Sequence, residues 1–179
     1  VMAAWTAYTK TDALTWMVSG AFGVSITTFV GQNYGAHKYD RVRQSVRVCL
    51  GMSIATVGFI SLLMVLFRRF ILGIYTTDAA VIEDGAYIIS VIVPFAAAFM
   101  PVEIFAGTMR GMGDSLKPTV IICLSVCVVR VVWLATVVRR WHALILLCVC
   151  YPITWILAAG VFLYVYFHSF QKRLKEKHV

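Results

Sequence analysis

The chain has 179 residues, 61% of them hydrophobic and 13% charged, with a formal net charge of +8 and a mean hydropathy of +0.85. A soluble domain does not reach that apolar fraction, so a soluble fold is excluded. The excess positive charge is divided among short segments between apolar runs, which argues against nucleic acid as a partner.

Ala13–Ala36, Val48–Phe67, Ala86–Val102 and Ala143–Phe167 contain no Lys, Arg, Asp or Glu, and Pro118–Val138 is broken only by Arg130. A membrane-crossing helix needs about 20 mostly apolar residues to pass a hydrocarbon core of about 30 Å. The expected helices therefore cover roughly 5–35, 48–67, 82–109, 117–138 and 143–167, followed by a tail at 168–179. The fold class is an all-α integral membrane bundle forming one unit over 1–179. The opening residues lack the basic segment, short apolar core and small-residue cleavage site of a secretory signal. The chain begins with Val and enters a helix within a few residues, as expected of a start partway into a longer polypeptide.

The first span carries Lys10 and Asp12 near one end. At i,i+2 they point to different faces and do not pair. They are expected at a solvated helix end, unless one of them faces a cavity there. Trp16, Trp133 and Trp155 lie deeper and read as packing residues, with Trp16 best placed to reach a cavity. Trp5, Tyr34, Tyr75, Trp141, Tyr164 and Tyr166 sit near span ends, as interfacial aromatic residues do. The span ends in Gly31-Gln32-Asn33-Tyr34-Gly35-Ala36, with Ser19 and Gly23 continuing the four-residue spacing of Gly31 and Gly35. Small residues at that spacing let helix backbones approach closely in lipid.

The third span holds Pro94 and Pro101, then Glu103, then Gly107-Thr108-Met109-Arg110-Gly111-Met112-Gly113-Asp114. Each proline removes a helical hydrogen bond and bends the helix. Glu103 precedes Arg110 by seven residues, which places it about 10 Å inside the membrane boundary. A carboxylate at that depth marks an ion or proton path unless it is protonated or structurally paired. Asp114 and Ser115 suit the cap of the next helix, and Arg110 stands close enough to pair with Asp114. Arg130 lies about 20 Å from the same boundary, which argues against a direct pair with Glu103. It is expected to snorkel outward past Val138 or to line a wet cavity.

Cys49, Cys123, Cys127, Cys148 and Cys150 lie inside or at the edges of apolar runs. Cys123 and Cys127 share a helix face, but no His or carboxylate stands near them, and buried cysteine usually packs as a small hydrophobe. His37, His142, His168 and His178 all fall at loops or ends. No phosphate-binding loop and no nucleophile motif is present. No metal site, no cofactor and no enzymatic activity are expected.

Loops alternate sides across five spans. Lys38, Arg41, Arg43, Arg47, Arg110, Lys117, Lys172, Arg173, Lys175 and Lys177 fall on one side; Lys10, Arg68, Arg69, Arg139 and Arg140 fall on the other. The positive-inside rule makes the first side cytoplasmic, with the amino end outside and the basic tail inside, against anionic lipid. One further span before the first would complete a set of six, a common repeat unit of secondary transporters.

The ordered set Gly31-Gln32-x-x-Gly35-Ala36, basic loop, apolar helix, acidic loop and Gly107-Thr108-Met109-Arg110-Gly111-x-Gly113-Asp114 resembles the carboxyl-terminal half of bacterial MATE (multidrug and toxic compound extrusion) transporters. The resemblance covers nearly the whole chain. It implies the eighth to twelfth helices of a twelve-helix fold of two pseudosymmetric lobes in the cytoplasmic membrane. It further implies export of small organic, often cationic, compounds driven by inward Na⁺ or H⁺. Glu103 falls on the helix where some members carry an intramembrane acid; that acid itself would fall at Phe99. Lys10 stands where many members have Asn, and Trp5 where many have His. The family's substrate path runs between lobes, so the other wall is expected from an amino-terminal lobe in cis or from a second chain. Two further readings are a lipid-linked sugar flippase, which a cavity rich in cations would favour, and a truncated fragment or assembly partner that does not transport.

Overall fold

The computed structural model describes residues 2–141 and 144–170. His142, Ala143, the Trp141 side chain, Lys172, Arg173, Lys175, Lys177 and His178 lie outside the described residues. The five expected spans are all helices of membrane-crossing length. They are α1 (Met2–Gly35), α2 (Tyr39–Leu66), α4 (Ala79–Gly111), α5 (Leu116–Val138) and α6 (Leu144–Val165). A short helix not expected from the sequence, α3 (Arg68–Gly73), turns the chain between α2 and α4.

Two helices start earlier than hydropathy predicts. The basic segment expected as a loop is the beginning of α2, because Tyr39, Val42 and Val46 share one face and bury it. Arg41 and Arg47 are left on the outer face, while Arg43 is half-buried. α4 starts at Ala79 because Asp78 caps it, accepting the Ala80 N–H at 2.9 Å. Arg69 of α3 pairs with Glu83 in the next turn at 3.0 Å.

α4 is the central element, and its two prolines shape it. Neither Pro94 nor Pro101 has an N–H to give to the residue four before it. Val93–Phe99 tightens into seven residues of 3₁₀ winding, closed by the Met100 N–H donating to Ala97. Such runs rarely exceed three or four residues. The apolar core divides around this stretch. One cluster, with Ile26, Val42, Phe105 and Phe162, fills the end bearing the basic segment. The other, with Tyr8, Leu72, Ile88 and Trp155, fills the opposite end, and Phe99 touches both. Tyr166, expected at the interface, is buried in the first cluster with its ring centroid 4.6 Å from that of Phe105. Trp5, also expected there, packs between Tyr8 and Tyr151.

α1 and α4 meet through backbone. A Cβ added at Gly111 would stand 2.6 Å from the Thr27 carbonyl oxygen, and one at Gly107 would stand 2.8 Å from that of Gly23. The Thr27 hydroxyl seals the crossing, within reach of the Gly23 carbonyl at 2.7 Å and the Gly107 carbonyl at 3.1 Å. Gly31 also lies at this contact, whereas Gly35 faces open space. The close-approach spacing of α1 therefore runs Ser19, Gly23, Thr27, Gly31 and stops before Gly35. Beyond α4, Gly113 takes a φ of 86° to turn the chain. Asp114 then pairs with Lys117 at 2.5 Å, so the carboxylate partner within the next helical turn is Lys117.

Gly111→Val should lower stability by about 1–3 kcal/mol, the usual cost of overpacking, because carbonyl oxygen and backbone nitrogen cannot yield as a side chain does. Gly51→Ala on α2, where a Cβ meets nothing within 4 Å, should be neutral or stabilising by up to about 1 kcal/mol. Thermal unfolding of the two variants in one detergent checks both signs.

Candidate functional site

Asp12 is the most buried carboxylate among the described residues. The sequence left it either at a solvated helix end or facing a cavity, and it is 6% exposed. α1 supplies its partners at one-turn spacing. The Tyr8 hydroxyl donates to Asp12 Oδ2 at 3.1 Å and the Trp16 indole N–H donates to the same oxygen at 2.8 Å. Lys10, two residues away, is exposed, so the two charges do take different faces.

The surroundings of Asp12 are aromatic. Trp16 packs edge-on against Phe99 at 5.1 Å and against Trp155 at 6.1 Å, measured between ring centroids. Phe99 belongs to the 3₁₀ stretch of α4 and Trp155 to α6, so three helices converge here. On the other side, Thr9, Ala13 and Met17 frame an open hollow of about 520 Å³ that reaches Asp12 and Trp16. Trp16 is 43% exposed and forms part of this wall. The site is thus a carboxylate held by two donors, closed behind by indole and phenyl rings and open in front. A bare carboxylate in such a place is costly, and it is relieved by a proton, a cation or hydrogen-bond donors.

Glu103, carried by α4, packs against the same face of α1, farther along. Its carboxylate fills the space left by the missing side chain of Gly23, where a Cβ would stand 2.8 Å from Oε2. Gly23 follows Asp12 by eleven residues, three full turns, so the two acids are aligned and about 16 Å apart along the helix. Glu103 makes no hydrogen bond or ion pair among the described residues. It lines a groove with Gly20, Val24, Thr28 and Arg110. Of the two acids, the sequence favoured Glu103 as functional, and the structure gives Asp12 the more elaborate setting.

Arg130 does not meet Glu103 and does not snorkel outward. It crosses to α6, donating from Nη2 to Thr154 Oγ1 at 3.1 Å, with its guanidinium carbon 4.1 Å from the Tyr151 ring centroid. It lines a hollow of about 380 Å³ with Trp5, Thr6 and Cys150. Gln32 is exposed at the end of α1, and Cys123 and Cys127 are exposed along α5. Sequence reasoning missed Tyr8, whose signal was its position one turn before Asp12. It also missed Tyr151 and Thr154, which no local spacing connects to Arg130.

Comparison with known proteins agrees with this architecture. The family model MatE matches residues 1–136. The chain is 27% identical over 105 residues to the probable multidrug resistance protein YoeA of Bacillus subtilis, covering 59% of this chain and 23% of that protein. It is 26% identical over 119 residues to the probable multidrug resistance protein NorM of Thermotoga maritima, covering 66% of this chain and 26% of that one. The chain thus aligns with about a quarter of the length of these relatives. Among solved structures, it superposes on the inward-facing conformation of a multidrug resistance MATE family transporter of the MOP superfamily. That match has a TM-score of 0.74 at 15% identity and covers 98% of this chain and 39% of that one. With the MatE model matching most of its length and the same helical fold, the chain belongs to the MatE family.

Proposed function

We propose that this chain forms one wall of a secondary transporter that exports small organic cations in exchange for inward H⁺ or Na⁺, with Asp12 as the group for which the two compete. The observation that carries this reading is the Asp12 carboxylate itself. It is buried within a membrane span, held by Tyr8 and Trp16, and bordered by an open hollow to which Trp16 contributes one aromatic wall. Ionisable groups at such depth are retained for transport or proton relay more often than for stability. The Trp16 ring beside the carboxylate suits an organic cation, because the ring quadrupole and the negative charge both attract it. Lipid-linked anionic sugars would call for a different lining. Among the described residues, no Lys or Arg lines the hollow at Asp12.

The exchange follows from charge balance. Asp12 holds one positive charge at a time. An organic cation reaching it from the cytoplasm occupies the hollow against Trp16. On the outward-facing side, a proton or Na⁺ takes the carboxylate and the organic cation leaves. Tyr8 and Trp16 keep the oxygen aimed while its counter-charge changes. Glu103, three turns farther along α1 over Gly23, serves as a second acid toward the cytoplasmic end. The positive-inside rule supports that orientation, since the basic segment of α2, Arg110 and Lys117 share this end. The opposing wall of the path comes from an amino-terminal lobe in cis or from a second chain.

The test uses the transporter containing this chain, reconstituted in vesicles with an imposed H⁺ or Na⁺ gradient and a fluorescent organic cation. Asp12→Asn should abolish gradient-driven export, a loss of about a hundredfold if one charge-assisted contact of about 1.5–3 kcal/mol is lost together with the coupling charge. Asp12→Glu should retain part of the rate. Export by Asp12→Asn with unchanged ion dependence would exclude Asp12 as the coupling group. Glu103→Gln should slow export several-fold while keeping its dependence on the gradient; complete uncoupling would transfer the primary role to Glu103.

A further inference from the structure

A second open cavity is remote from Asp12 and has a different character. It is a groove of about 690 Å³ between α1 and α2 at the end bearing the basic segment. Along α2 its lining changes from polar to apolar, with Arg41 and Gln44 first and Val48 and Met52 beyond them. Arg41 and Met52 are eleven residues apart, three turns on one face, so the groove runs about 16 Å along the helix. That is close to half of the roughly 30 Å hydrocarbon core. The facing wall is Phe22 and Phe29 of α1.

The geometry points to a binding site for one anionic phospholipid, with its phosphate at Arg41 and Gln44 and an acyl chain lying between Phe22, Phe29, Val48 and Met52. Charge, length and wall chemistry all support this occupant. Among the described residues no acid pairs with Arg41; its neighbour Asp40 pairs with Arg43 instead. The groove as a whole, polar end included, is about as long as one leaflet is deep, and its apolar part between Phe22 and Phe29 covers about 10 Å of that length. Membrane helices pack on one another through small residues, as α1 and α4 do here. These walls are instead bulky and open, with Phe29, Val48 and Met52 each more than half exposed. Arg47, by contrast, belongs to another face of α2, where its charge acts on Tyr166. The basic segment therefore divides into one cation that serves the groove and others that do not.

The experiment is native mass spectrometry of the full-length transporter taken from vesicles of equal phosphatidylglycerol and phosphatidylcholine. The wild-type protein should retain phosphatidylglycerol over phosphatidylcholine, and Arg41→Gln should reduce that preference about fivefold, the worth of one cation at an anionic surface. Arg41→Lys should largely keep it, which separates loss of charge from misfolding. Lys38→Gln and Arg47→Gln should leave it unchanged. Met52→Trp, which fills the apolar part, should reduce retention of both lipids. Equal losses from Arg41→Gln, Lys38→Gln and Arg47→Gln would overturn the site in favour of diffuse attraction to the basic segment. Displacement of the lipid by millimolar inorganic phosphate would show an anion site without an acyl component, and would equally overturn it.

Discussion

The contact of backbone with backbone between α1 and α4 is the constraint from which the rest of this bundle follows. Water is absent from a membrane interior, so there is little hydrophobic gain in bringing two helices together. Attraction must come from close packing, and Gly107 and Gly111 allow it by exposing bare backbone to Gly23, Thr27 and Gly31. The Thr27 hydroxyl adds a polar tie across the crossing. Beside this close crossing, the Glu103 carboxylate takes the space over Gly23 that a side chain there would fill. The same contact fixes the rotation of α1, which turns Asp12 inward and leaves Lys10 outside.

Much of the architecture was legible in the sequence because lipid imposes a simple rule. A span must be long and apolar, and five runs met that rule. What hydropathy could not locate were the ends. The first turns of α2 are basic yet helical, since burial of Tyr39, Val42 and Val46 outweighs their charged neighbours. The glycine motif was readable as a packing surface, but its register was not. Four-residue spacing fits Gly35 as well as Gly31, and only the place where α1 ends its contact with α4 distinguishes them. Asp12 shows the same limit more sharply. Its place near the outer end of the first span left a solvated end or a cavity open to both Lys10 and Asp12, and only the packing of α1 separates the exposed lysine from the buried acid. Arg130 was correctly separated from Glu103 by counting turns, but its partners Tyr151 and Thr154 belong to another helix and are set by tertiary packing alone.

The bundle is also uneven. Half of the most apolar window of α4 is buried, while only 6% of that of α5 is. α5 is tied to α6 at a few points, among them Arg130 to Thr154 and the Trp133 indole to the Leu146 carbonyl at 2.9 Å. The aromatic set around Asp12 stands where α1, the 3₁₀ stretch of α4 and α6 converge. Rigid contacts thus surround the carboxylate on one side and leave its other side open.

The order of synthesis gives the local partners of Asp12 a second meaning. Thr27 bonds to Gly107, 80 residues later in the chain. At about 5–20 residues per second, α1 therefore waits about 4–16 s after its own synthesis for the ribosome to produce its packing partner. Through that interval an acidic residue near the head of α1 would be held in lipid without tertiary support. Tyr8 and Trp16 travel with it on the same helix, one turn to either side, so its hydrogen bonds form as soon as α1 winds. The nascent helix carries its own solvation for Asp12 into the membrane before the rest of the lobe has been translated.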